Sequence, residues 1–76
     1  MSKSEVINWG KGSSFNLGRI PDSEIRVERV KDHDMKWYFL LSDNQYTYLY
    51  CDSERYETLD EMTEGVFSWL KMKGRF

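Results

Sequence analysis

The chain predicts an α+β fold: a small antiparallel β-sheet of three to five strands, connected as a meander, with one C-terminal amphipathic helix packed on one face. Three observations carry that expectation. Apolar residues recur at helical spacing over residues 58–72. Runs of aromatic and β-favouring residues, separated by Asp, Asn and Ser, fill residues 24–51. No repeat, linker or low-complexity tract interrupts the 76 residues, which read as a single domain over 1–76.

The helix has the clearest signals. Thr58-Leu59-Asp60-Glu61 reads as a capping box, with Thr58 accepting the Glu61 amide and the Glu61 side chain reaching back to the Thr58 amide. Leu59, Met62, Val66, Trp69 and Leu70 then share one stripe at about 100° per residue, opposite Asp60, Glu61, Glu64, Ser68 and Lys71. Acidic residues open the segment and Lys71 and Lys73 close it, which suits the helix dipole. Gly74 stands where a left-handed residue stops a helix. Gly65, inside the segment, costs about 1 kcal/mol relative to Ala, and its place at the edge of the stripe points to close packing.

Residues 35–41 and 45–51 read as two strands with Ser42-Asp43-Asn44 turning between them. Glu24-Ile25-Arg26-Val27-Glu28 alternates as a third strand, joined to the next by Lys31-Asp32-His33-Asp34. Residues 1–20 are weakly patterned. A hairpin or arm, with residues 6–9 and 14–17 flanking Gly10-Lys11-Gly12-Ser13, is the reading there.

The length of the central turn decides which residues meet, because a one-residue slip exchanges the faces. A three-residue loop with Asn44 in the left-handed region puts Ile25, Val27, Met35, Trp37, Phe39, Leu41, Leu49 and Cys51 together beneath the helix. Glu24, Arg26, Glu28, Lys36, Tyr38, Leu40, Tyr46, Tyr48 and Tyr50 take the other face, open or covered by Val6, Trp9, Phe15 and Leu17. Trp37, Phe39 and Trp69 then belong to the core.

Composition bounds the function. A chain this short buries only about 60% of its unfolded surface. Its 3 Trp, 5 Tyr and 4 Phe supply the bulk that a small core lacks. The lone Cys51 allows no internal disulfide, which points to a reducing cytoplasm and to a buried structural thiol. Met1-Ser2-Lys3-Ser4-Glu5 has no apolar stretch of a signal peptide, and Trp37-Tyr38-Phe39-Leu40-Leu41 is far short of a membrane span. The net charge of −2 conceals segregation: residues 52–64 hold Asp52, Glu54, Glu57, Asp60, Glu61 and Glu64 against Arg55 alone, between weakly basic ends.

Two candidate partner-binding patches follow. Tyr38, Tyr46, Tyr48 and Tyr50 would form a field of phenols that anchors a protein interface or stacks unpaired bases. Cross-strand packing is the competing structural role. Arg26 and Lys36 are offset by Glu24 and Glu28, which ranks protein contact ahead of nucleic acid. Glu57, Asp60, Glu61 and Glu64 could face a basic or nucleic-acid-binding surface of a partner, or simply serve as a solvated helix face.

Other features carry little chemistry. Gly10-Lys11-Gly12-Ser13-Ser14 lacks the spacing of a phosphate loop. Asp32-His33-Asp34 is followed by Lys36, not by a third oxygen ligand, so no metal or other cofactor is expected. Cys51 and His33 have no evident oxyanion donor beside them, so no catalytic residue is assigned and an enzyme is not expected.

The sequence therefore reads as a non-catalytic protein-binding module acting by occlusion, in the manner of an inhibitor, immunity protein or viral accessory protein. Single-stranded nucleic-acid binding through the tyrosine face is the first alternative. A subunit that self-associates through a sheet edge, as a homodimer, is the second.

Overall fold

Two aspartates shape the centre of the sheet. In the computed structural model, which describes residues 6–9 and 16–75, the Asp32 carboxylate accepts the amides of Asp34 and Lys36 at 2.9 and 3.0 Å. Asp43 does the same for Gln45 and Thr47 at 2.8 and 2.9 Å. In both turns the residue three places on is left-handed: Met35 at φ 64° and Tyr46 at φ 63°. The same five-residue chemistry thus closes both hairpins, because an aspartate side chain substitutes for backbone partners that a tight turn leaves unmet.

These turns join β3 (Arg26–Lys31), β4 (Trp37–Ser42) and β5 (Tyr48–Cys51). Ahead of them, β1 (Asn8–Trp9) and β2 (Leu17–Arg19) form the N-terminal hairpin. All five pair antiparallel in the order β1-β2-β3-β4-β5, a meander. Helix α1 (Leu59–Met72) packs on this sheet against β4, which gives an α+β fold.

Of the expected capping box, the half in which Thr58 accepts from Glu61 forms, and no described bond returns from the Glu61 side chain to the Thr58 amide. Thr58 is extended, and its side chain accepts the Glu61 amide at 3.1 Å. Beyond Met72, the amides of Lys73, Gly74 and Arg75 bond back to Trp69, Lys71 and Leu70, with Gly74 at φ 68°. Met62, Val66, Phe67 and Leu70 are buried against Ile7, Ile20, Ile25, Val27, Phe39 and Leu41. Phe67 extends the apolar stripe beyond the residues that spacing alone selects. Trp37 and Trp69 lie at the rim of this core, half-buried.

The register of β3 and β4 follows the expected parity, but that of β5 does not. Leu41 faces Tyr50 and Ser42 faces Tyr48, so Leu49 is an extra residue in β5. This bulge turns Leu49 and Tyr50 toward the core and sends Cys51 out opposite Leu40, where the thiol is free and exposed. Tyr50 therefore leaves the tyrosine face, and Cys51 is not a buried structural thiol. Met35 also departs from the expected core face. Its turn holds it 65% exposed. Asn44 does not take the left-handed position, which falls to Tyr46 because Asp43 sets a longer loop. The glycine-rich stretch 10–14 and Phe15 lie outside the described residues. No described helix is long and apolar enough to cross a membrane.

The Asp32 turn carries a pH signature. The Lys36 amide, then the Asp34 amide and the Arg55 guanidinium, hold its carboxyl below the ordinary value of 3.8, against the opposing effect of desolvation. A group whose pKa is lower in the folded state lends stability above its unfolded pKa and loses it as pH falls toward the folded value. Asp32→Asn should thus lower the urea midpoint at neutral pH, and the gap from the parent should close as pH falls below about 4. A gap that stays constant down to acid pH would show that the charge at Asp32 contributes nothing.

Candidate functional site

A sheet covered on one side leaves the alternate side chains to water, and register decides which these are. Pairing sets Asn8, Arg19, Arg26, Ser42 and Tyr48 in one row across all five strands. Leu17, Glu28, Leu40 and Cys51 form the next row, then Val30 and Tyr38. These side chains lie on the face away from α1, and no described element packs over them.

The face is aromatic and partly apolar. Tyr46 and Tyr48 are 64% and 59% exposed, and Leu17 is 40% exposed. Leu40 in the second row and Tyr38 in the third are half-buried. Arginines lie on two of the phenol rings: Arg26 is 4.8 Å from the Tyr46 centroid and Arg55 is 4.0 Å from that of Tyr38. Such stacking holds ring and guanidinium together as one flat, preorganised surface.

The charges of the face are arginines set against Glu28 in its rows and Asp32 beside Arg55. Arg55 is anchored, with its Nε 3.0 Å from Asp32 Oδ2 and a second nitrogen donating to the Asp52 and Glu54 carbonyls. Arg26 and Arg19 stand directly opposite each other on β3 and β2, a like-charged pair that costs stability when left alone. The Arg26 Nε is buried without a hydrogen-bond partner. Glu28 is the one acidic residue in these rows.

Three of the four sequence-predicted tyrosines, Tyr38, Tyr46 and Tyr48, come together here. Tyr50 does not. It stacks on Trp69 of α1 at 5.1 Å, and its hydroxyl donates to Asp52 Oδ1 at 3.4 Å. Burial, then the Asp52 carboxylate, pushes its pKa up. The acidic residues lie elsewhere. Asp60, Glu61 and Glu64 are exposed on the outer side of α1, and Glu57 pairs with Lys36 at 3.2 Å. The sheet core separates Asp60, Glu61 and Glu64 from the tyrosines, so these are two surfaces.

Sequence reasoning passed over the arginine stacks. Arg26 was legible from strand parity, whereas Arg55 precedes the helix and no periodicity assigns its direction. It also missed that Arg29 lies 4.3 Å from the Trp9 ring and 5.9 Å from that of Trp37, with Lys31 also on Trp37 at 5.2 Å. Among the described residues no group of three His, Cys, Asp or Glu could hold a metal ion. His33 is exposed, 3.5 Å from Asp34. No protein-family model, curated protein or solved structure matches the chain.

Proposed function

We propose that this chain is a small non-catalytic protein-binding module that acts by occlusion, laying the open face of its sheet on a partner. The observation that carries this reading is the make-up of that face. Tyr38, Tyr46 and Tyr48 are interleaved with Arg26 and Arg55 beside Leu17 and Leu40, and Tyr and Arg dominate the centres of protein interfaces. An inhibitor or accessory factor needs a rigid surface of this kind and no active site.

The arginines favour a partner surface that is apolar and acidic. A basic partner would instead meet Asp60, Glu61 and Glu64 on the outer side of α1. The face also suits self-association less through its edges than through its centre, because edge strands β1 and β5 span only two and four residues. The exposed free thiol of Cys51 fits a reducing compartment such as the cytoplasm.

Single-stranded nucleic acid is the second reading, favoured by one observation: Arg19, Arg26 and Arg55 outnumber Glu28 on the tyrosine face. It ranks second because Arg26 and Arg55 already lie on two of the rings that bases would need, and Asp32 neutralises Arg55.

The test replaces Tyr38, Tyr46 and Tyr48 together with Ser. Circular dichroism should be retained while affinity for the captured partner falls by roughly 100-fold or more, as loss of two or three anchoring aromatics implies. Undiminished capture would overturn the site. Capture that disappears on nuclease treatment would transfer the face to the nucleic-acid reading.

A further inference from the structure

On the helix side of the sheet, between α1 and the end of β5, lies a cleft of about 190 Å³. Phe39, Tyr50, Tyr56 and Trp69 supply its aromatic wall, and Asp52 and Glu54 its charge. The rings are held in place by one another: Tyr50 stacks on Trp69 at 5.1 Å, Phe39 on Tyr56 at 6.3 Å, and Phe39 meets Tyr50 at 5.8 Å. The backbone of Tyr56 bonds to Trp37 in both directions at 2.8 Å, which fixes that wall to β4.

The carboxylate is the anomaly. Asp52 is only 6% exposed. Its Oδ1 accepts the Glu54 amide at 3.1 Å and the Tyr50 hydroxyl at 3.4 Å, but Oδ2 is buried with no partner. Among the described residues no Lys, Arg or His lines the cleft. Arg55 is the nearest cation in sequence, yet it reaches only the Asp52 carbonyl and spends its Nε on Asp32. A buried carboxylate with an unmet oxygen is costly, and a cation beside it offsets that cost.

We propose that this cleft is a binding site for the ammonium head of a lysine side chain presented by a partner. Aromatic rings attract an ammonium through their quadrupoles, and the desolvated Asp52 carboxylate adds attraction, since Arg55 meets the Asp52 carbonyl and not its carboxylate. The size fits a side-chain head, since pockets for drug-sized molecules begin at roughly 300 Å³. With Oδ2 covered, the charge of Asp52 acts on the cleft through space, while the exposed Glu54 stands at its mouth. The same surroundings act on Tyr56. Its burial, then the charges of Asp52 and Glu54, push the phenol up to about 12. The site lies across the sheet from the tyrosine face and stands independently of its role.

The test is a nuclear magnetic resonance titration with n-butylammonium chloride, a lysine side-chain mimic, against sodium chloride and n-butanol. Saturable shifts are expected at the Gly65 and Ser68 amides and the Trp69 indole, with a dissociation constant in the range of roughly 1–10 mM. n-Butanol should produce none. Asp52→Asn should weaken the effect by about tenfold or more. Ser68→Trp, an exposed helix position on the cleft, should block it by filling the space. No saturable shift, equal shifts with n-butanol, or an unchanged affinity in folded Asp52→Asn would overturn the proposal. Should Asp52→Asn fail to fold, Ser68→Trp decides, and undiminished shifts in it would be equally fatal.

Discussion

Phe39→Ala should leave about half or more of the molecules unfolded at room temperature. Phe39 is 1% exposed in the interior strand β4, paired with Arg29 on one side, while its carbonyl accepts the Asp52 amide on the other. Its ring meets those of Tyr50 and Tyr56 and belongs to the core that Met62, Val66, Phe67 and Leu70 close from above. Truncating a buried Phe costs about 3–5 kcal/mol, and a core this small rarely supplies more than about 3–5 kcal/mol in total. The two figures cancel. Urea denaturation followed by circular dichroism should show no native baseline for Phe39→Ala. Phe39→Leu should keep one, at a cost of about 1.5 kcal/mol or less. A cooperative transition near the parent midpoint for Phe39→Ala would show that the core does not centre on β4.

Gly65→Ala should destabilise the protein by about 1–2 kcal/mol, although the same change in an ordinary helix stabilises it by about 1 kcal/mol. The reversal comes from Tyr56. A Cβ on Gly65 would stand 2.4 Å from the Tyr56 hydroxyl oxygen and 2.8 Å from the carbon bearing it. The ring cannot swing aside, because Phe39 stacks on it and its backbone is tied to Trp37 at both amide and carbonyl. Helix and sheet must separate locally, which exposes Tyr56. The urea midpoint should fall, and the alkaline titration of Tyr56 should move down from about 12 as its hydroxyl meets water. A raised midpoint would mean that α1 does not press on Tyr56.

How much of this was legible in the sequence depended on how local each signal was. Thr58, the apolar stripe and Gly74 act within one or two turns, and they delimit α1 without knowledge of the rest. Alternation in β3 and β4 sorted Val27, Phe39 and Leu41 from Arg26, Tyr38 and Leu40, because period two survives along an unbroken strand. β5 escaped that logic. A bulge at Leu49 reverses parity within the strand, so Tyr48 faces water and Tyr50 the helix, although only Leu49 separates them. Nothing local announces a bulge. The turn before it was mistaken for a related reason: a tyrosine is a poor guest in the left-handed region, yet Asp43 binds two amides and holds Tyr46 there. The recurrence of Asp32 and Asp43 four residues before Lys36 and Thr47 was the signal available.

The binding surface was legible only in part. Tyr38, Tyr46 and Tyr48 follow from strand parity, whereas the Arg55 stack requires the chain between β5 and α1 to fold back beside β4. The cleft at Asp52 could not be foreseen, because it depends on Tyr50 turning inward. One irregular residue in β5 thus divides five tyrosines between two surfaces, one flat and arginine-edged, the other recessed and acidic.

The central claim is that the flat surface receives the partner. Hydroxyl-radical footprinting of the protein alone and in its captured complex, read by mass spectrometry, tests it most directly. Tyr46 and Tyr48, 64% and 59% exposed, are available to the radical on the open face, and Met72, 71% exposed, reports from the helix side. The proposed mode of binding predicts that Tyr46 and Tyr48 become strongly protected in the complex while Met72 oxidises as before. Protection of Met72 with Tyr46 and Tyr48 unchanged would contradict it and move the interface to the helix side of the sheet.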